Sequence, residues 1–87
     1  MQITPMTPER AAAFIIRLTK GRPDPEAVAR TYRVGADQMR EFAGKAASSK
    51  GGKYRGKTAA EWSAHAKTQA HMAEAVPPIL RRLAATL

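Results

Sequence analysis

The stretch that decides the fold reads Ala29-Arg30-Thr31-Tyr32-Arg33-Val34-Gly35-Ala36-Asp37-Gln38-Met39-Arg40-Glu41-Phe42, and its reading turns on Val34-Gly35. Before that pair, Ala27, Val28, Ala29 and Tyr32 give a helix one apolar side. After it, Met39, Phe42, Ala43 and Ala46 recur at helical spacing. Glycine inside a helix costs about 1 kcal/mol relative to alanine, and it is the residue most used just past a helix end. The pattern therefore predicts a helix from Asp24 to Val34, a tight turn at Val34-Gly35, and a further helix from Ala36 to Ala47.

Outward from this stretch, helix starts are written plainly. Thr7-Pro8-Glu9 places an N-cap, a proline at the first helical position and an acid against the helix dipole. The helix that follows carries Ala11, Phe14, Ile15 and Leu18 on one face, and Lys20 with Gly21 closes it. Asp24-Pro25-Glu26 repeats the start signal. Thr58-Ala59-Ala60-Glu61 is a capping box, opening a long helix to about Ala75 with Trp62, Ala66, Gln69, Ala73 and Val76 on one face. Pro77-Pro78 then predicts a stop and a last helix from Pro78, with Ile79, Leu80, Leu83 and Leu87 aligned. The expected fold is all-α, a compact bundle of four to five helices in one domain over residues 1–87. Residues 7–47 form its trihelical core, 48–57 a basic glycine-lysine loop that also admits a short β-ribbon or wing around Tyr54, and 58–87 bracing or dimerisation helices.

Composition narrows the chemistry. A chain of 87 residues makes one domain with a thin core. Much of its apolar content is alanine, which favours helices and close packing around small side chains. With no cysteine, disulfides, thiolate zinc sites and cysteine nucleophiles are excluded. His65 and His71 lie about 240° apart around a helix, too far round to share a metal. No serine sits in a nucleophile elbow, no pair of acids lies in an apolar setting, and Gly51-Gly52-Lys53 lacks the spacing and preceding strand of a phosphate loop. Neither an enzyme nor a cofactor site is expected. The first twenty residues read as neither signal peptide nor membrane span, so a cytoplasmic protein without membrane contact is expected.

The formal net charge is +8, which speaks of partners rather than fold. It is concentrated from Lys45 to Lys57, where Lys45, Lys50, Lys53, Arg55 and Lys57 occur with no acid between Glu41 and Glu61. Glycines let the backbone of this loop approach a polyanion, its cations suit phosphates, and Tyr54 suits stacking on a base or sugar or covering the core.

Over about Pro25 to Gly44 the sequence resembles the helix-turn-helix DNA-binding family, in particular small bacterial or phage regulators. Ala29 stands where two steeply crossing helices approach closest, Tyr32 one turn on, Val34 as the apolar plug of the turn, and Met39 and Phe42 on the inward side of the second helix. One position departs: Arg33 stands where that family usually has glycine. The resemblance implies that the second helix enters the major groove, with Asp37, Gln38, Arg40 and Glu41 at its outer surface. Lys45, Lys50, Lys53, Tyr54, Arg55 and Lys57 would then grip the backbone beside it. Double-stranded DNA is the leading partner, and a transcription regulator or phage DNA-handling factor the leading role. A homodimer suits two half-sites, with Trp62, Ile79, Leu80, Leu83 and Leu87 as the candidate protein interface. The alternative is a small phage-type inhibitor, anti-CRISPR-like, that covers an acidic protein surface or a nucleoprotein complex. An RNA binder using the same loop ranks third, because stacking aromatics are few.

Overall fold

The computed structural model describes residues 6–86. Helix α1 (Pro8–Leu18) leads to α2 (Pro25–Ser48), a two-stranded antiparallel hairpin of β1 (Lys53–Tyr54) and β2 (Lys57–Thr58), and α3 (Ala59–Ala85). The N-terminal signals operate as written. The Thr7 hydroxyl accepts from the Arg10 amide, the Asp24 carboxylate from the Ala27 amide, and Thr58 and Glu61 close a reciprocal capping box.

The expected bundle of four to five helices is not what forms. Among the described residues there are three helices and a small sheet, and two expected breaks are absent. The first is the turn at Val34-Gly35. Helix α2 runs through it without interruption, so the trihelical helix-turn-helix core is not present. Neither Arg33 nor Gly35 has a positive φ, and Val34, expected as the plug of the turn, is 65% exposed. The physical reason lies in packing. Ala29 and Ala36, seven residues apart, are both buried and stand on the same side of α2, toward α3 with its small buried Ala66 and Ala73. Gly35 lies opposite Gln69, whose Oε1 would be 3.5 Å from a Cβ built on the glycine. A Cβ at that distance makes only an ordinary contact, so the close approach of the helices does not require glycine here; contact along α3 carries the helix through Gly35 and outweighs its propensity cost.

The second missing break is at Pro77-Pro78. Helix α3 continues through both prolines to Ala85, so the separate fourth and fifth helices are one. Two prolines leave the carbonyls of Ala73 and Glu74 without an i+4 amide donor, at about 3 kcal/mol per proline. Burial on both sides of the interruption offsets this. Met72, Val76 and Leu80 are within the core, and full burial of each such side chain stabilises by about 1.5–3 kcal/mol. Pro77 is itself buried.

Helices α2 and α3 form a long antiparallel pair, with Gly35 opposite Gln69 and Phe42 against Trp62. At the end remote from the hairpin, α1 lies on α3. Ala11 and Ala12 meet Met72, Val76 and Leu80, with Ile15, Ile16, Val28, Tyr32, Ile79 and Leu83 around them. The result is elongated, 52 × 30 × 17 Å, with the cluster around Val76 and Leu80 at one end, the hairpin at the other, and buried alanines of α2 and α3 between them. Among the described residues no helix is long and apolar enough to cross a membrane.

Candidate nucleic-acid interface

The hairpin is where chain geometry and charge converge. Helix α2 ends at Ser48, and the Gly52 amide donates to the Ser49 carbonyl in a turn that reverses the chain. Lys53 then pairs with Thr58, and Tyr54 with Lys57. The two residues between, Arg55 and Gly56, have φ of 51° and 81°. Two central residues of positive φ define the type I′ turn, whose twist matches that of the strands it joins. Gly56 takes this conformation freely. Arg55 does so at about 1–2 kcal/mol, at a position that usually favours asparagine, aspartate or glycine.

A ribbon this short is not stable alone; aromatic contacts from both helices hold it. Phe42 of α2 lies 5.2 Å from the Tyr54 ring and 5.0 Å from that of Trp62, centroid to centroid. The Trp62 indole N–H donates to the Tyr54 carbonyl at 2.8 Å, and Trp62 is buried at 7% exposure. Thr58 is both the last residue of β2 and the N-cap of α3, so the ribbon enters the helix without a free joint.

Cations cover the aromatic cluster. The Arg55 guanidinium sits 5.0 Å from the Phe42 centroid and 5.4 Å from that of Tyr54. Lys45 Nζ is 5.3 Å from the Tyr54 ring, and Lys57 Nζ is 4.7 Å from that of Trp62. Each such contact contributes about 0.5–1 kcal/mol at an exposed site, and each also fixes where a charge is presented. The strain at Arg55 is thereby partly offset, and its planar fork is held on the outside of the turn, where it can meet a phosphate with two donors.

Opposing charge is scarce here. Lys45 reaches Glu41 at 3.7 Å, whereas Lys50, Lys53, Arg55 and Lys57 have no carboxylate within 4 Å among the described residues. Glu61 is the nearest acid in sequence beyond the hairpin, and its carboxylate is committed to the cap. It accepts from both the amide and the hydroxyl of Thr58 at 3.1 Å. The backbone hydrogen bond, then the hydroxyl, hold its pKa below the ordinary value, with Lys53 and Lys57 adding to the effect.

The remaining expected contacts lie elsewhere. Asp37, Gln38, Arg40 and Glu41 stand exposed in the middle of α2, not at a helix N-terminus that could enter a groove. Arg40 is bound to Asp37 at 2.7 Å. The structure thus separates this neutralised mid-helix set from the hairpin cations. Of the candidate protein interface, Trp62 and Leu80 are buried within the monomer, Ile79 and Leu83 are half-buried around the core, and Leu87 lies outside the described residues. Phe42, read as an inward helix residue, proves to be the floor of the hairpin. Its partner Tyr54 is twelve residues distant in sequence, and no local spacing signals that contact. Among the described residues no group of three metal-ligating side chains comes together. Comparison with known proteins finds no family model, no curated protein and no solved structure that matches this chain.

Proposed function

We propose that the chain binds duplex nucleic acid, DNA in the first instance, through the cationic hairpin from Lys45 to Lys57. The observation that supports this reading most is the pinned hairpin itself. Its cations are free of nearby carboxylates except at Lys45; a type I′ turn and the Trp62–Tyr54 hydrogen bond hold the backbone that carries Lys53, Arg55 and Lys57, and ring contacts position the charges of Lys45, Arg55 and Lys57. A fixed array of cations meets a regular array of phosphates with less lost side-chain entropy than a mobile lysine loop would.

The aromatic side chains favour duplex over single strand. Single-strand binders offer open ring faces to bases. Here Trp62 is buried, Phe42 lies beneath Arg55, and Tyr54 is flanked by Lys45 and Arg55. What remains accessible is charge, which grips the backbone and carries little sequence information. The proposed role is that of a small DNA-handling factor in the cytoplasm, with affinity set by backbone contacts and not by a recognition helix.

Fluorescence anisotropy on a labelled duplex across a salt series tests this. Four phosphate contacts give a slope of about −3.6 in log K against log salt, so affinity falls by roughly two orders of magnitude between 50 and 200 mM. Duplex should also be preferred to a single strand of equal length. A flat salt dependence, or a preference for single strands, would refute the reading.

A further inference from the structure

Helices α2 and α3 flank a cleft of about 610 Å³, within the range that small-molecule sites occupy. Its floor is small: Ala29, Ala73 and Pro77 are all buried there, and neither alanine extends beyond Cβ. Its walls are charged. Glu26, Arg30 and Arg33 of α2 line one side, and Glu74 and Arg81 of α3 the other. None of these five is neutralised by another. The ion pairs among the described residues are Asp37–Arg40 and Glu41–Lys45, although Glu26 and Arg30 have the i, i+4 spacing at which helical pairs form.

The antiparallel register orders these charges. Gly35 lies opposite Gln69, and Phe42 against Trp62. Counted outward from Gly35 and Gln69, Arg30 of α2 stands level with Glu74 of α3. Arg33 is one turn from Arg30, so two guanidinium forks and one carboxylate line the same end of the cleft, with no ion pair closing the gap between them. Pro77 and Pro78 add acceptors to the α3 wall, because the carbonyls of Ala73 and Glu74 have no i+4 amide to accept from. About 6 Å further along, Glu26 stands level with Pro78, and Arg81 is one turn beyond. Each end of the cleft therefore holds donors on one wall and acceptors on the other, with an apolar floor between.

A ligand that carries both signs completes this arrangement. A bare anion would meet Glu26 and Glu74 as well as the arginines, and a bare cation would meet the arginines as well as the acids. We propose that the α2–α3 cleft binds a free α-amino acid with an uncharged polar side chain, of the glutamine type. Its carboxylate takes the forks of Arg30 and Arg33. Its ammonium donates to the Glu74 carboxylate and to the freed carbonyl oxygens of Ala73 and Glu74. Its side chain runs over Ala29, Ala73 and Pro77, and the terminal amide, both donor and acceptor, meets Glu26 and Arg81. This site is independent of the hairpin and does not rest on the nucleic-acid reading.

The test follows the amide and methyl signals of the full chain by NMR during titration with L-glutamine. Shifts should saturate and centre on Ala29, Arg30, Ala73 and Glu74. N-acetyl-L-glutamine lacks the ammonium and L-glutaminamide lacks the carboxylate, and each should bind at least about tenfold more weakly. Arg30→Gln with Arg33→Gln, and separately Glu74→Gln, all at exposed positions, should weaken L-glutamine by a similar factor while leaving the circular dichroism spectrum unchanged. Lys53→Gln with Arg55→Gln and Lys57→Gln should leave that binding intact. The proposal is overturned if the shifts fail to saturate or spare the cleft, or if L-glutaminamide binds as tightly as L-glutamine. It is likewise overturned if N-acetyl-L-glutamine or inorganic phosphate binds as tightly and Glu74→Gln leaves binding as it was or strengthens it, which would make the cleft a plain anion site.

Discussion

Replacing Gly35 with alanine separates a continuous α2 from a helix-turn-helix by the sign of one number. In an uninterrupted helix, alanine is favoured over glycine by about 0.5–1 kcal/mol, because glycine has more conformational freedom to lose on folding. The new Cβ would stand 3.5 Å from Gln69 Oε1, an ordinary contact with the flexible end of a side chain, so no steric charge is set against that gain. Gly35→Ala should therefore raise stability by about 0.5–1 kcal/mol, or roughly 2–8 °C in Tm for a domain of this size. Gly56→Ala is the internal contrast. Its Cβ would meet nothing within 4 Å, but the backbone there has φ of 81°, and an L-residue in that region costs about 1–2 kcal/mol. Thermal unfolding followed by far-ultraviolet circular dichroism measures both variants. A stability loss at Gly35 matching that at Gly56 would mean a turn at Gly35 after all, and the account of α2 would fail.

Three further outcomes follow from the same geometry. Trp62→Phe keeps a ring against Phe42 but removes the indole donor to the Tyr54 carbonyl; it should cost about 0.5–1.5 kcal/mol and speed amide exchange in the hairpin ahead of the helices, as measured by hydrogen-exchange NMR. Leu80→Ala empties a fully buried position between α1 and α3 and should cost about 2–5 kcal/mol in chemical denaturation, a large share of what a chain this small has. The Glu61 carboxylate has its pKa lowered by the cap, so the stability it lends is present above the pKa of the unfolded chain and is lost as pH falls through the lower folded value. Glu61→Gln should flatten that acid limb, which a pH series of denaturant melts would show.

The parts of the fold set by neighbouring residues were legible in the sequence, and those set by distant ones were not. Thr7, Asp24 and Thr58 cap the amides three residues ahead of them, and chemistry that local announces itself. Gly35 and Pro77-Pro78 carry equally local signals of interruption, yet both lie inside helices. Their outcome depends on contacts that no window of sequence contains, Gly35 against Gln69 and Pro77 within the buried stripe from Met72 to Leu80. Reading those signals as breaks divided α2 and α3 and produced an apparent helix-turn-helix.

The cations of the hairpin were evident from composition, but not the scaffold beneath them. Arg55 occupies a turn position where the preferred residues are small and polar, so the type I′ turn was hidden. The hydrogen bond from Trp62 to Tyr54 spans eight residues across a turn and a helix start. The exposed set Asp37, Gln38, Arg40 and Glu41 gained its apparent meaning only from the supposed turn before it; in a continuous helix it is a charged face whose acids pair with neighbouring cations.

The most direct test of the central proposal is the salt slope of duplex binding, measured for the native chain and for Lys53→Gln with Arg55→Gln and Lys57→Gln. If these three cations each neutralise one phosphate, the slope should lose about 2.7 of its magnitude, while the circular dichroism spectrum of the folded chain stays unchanged. A slope that the triple substitution leaves as it was would show that whatever duplex binding exists comes from elsewhere on this basic surface, and the hairpin would not be the nucleic-acid interface.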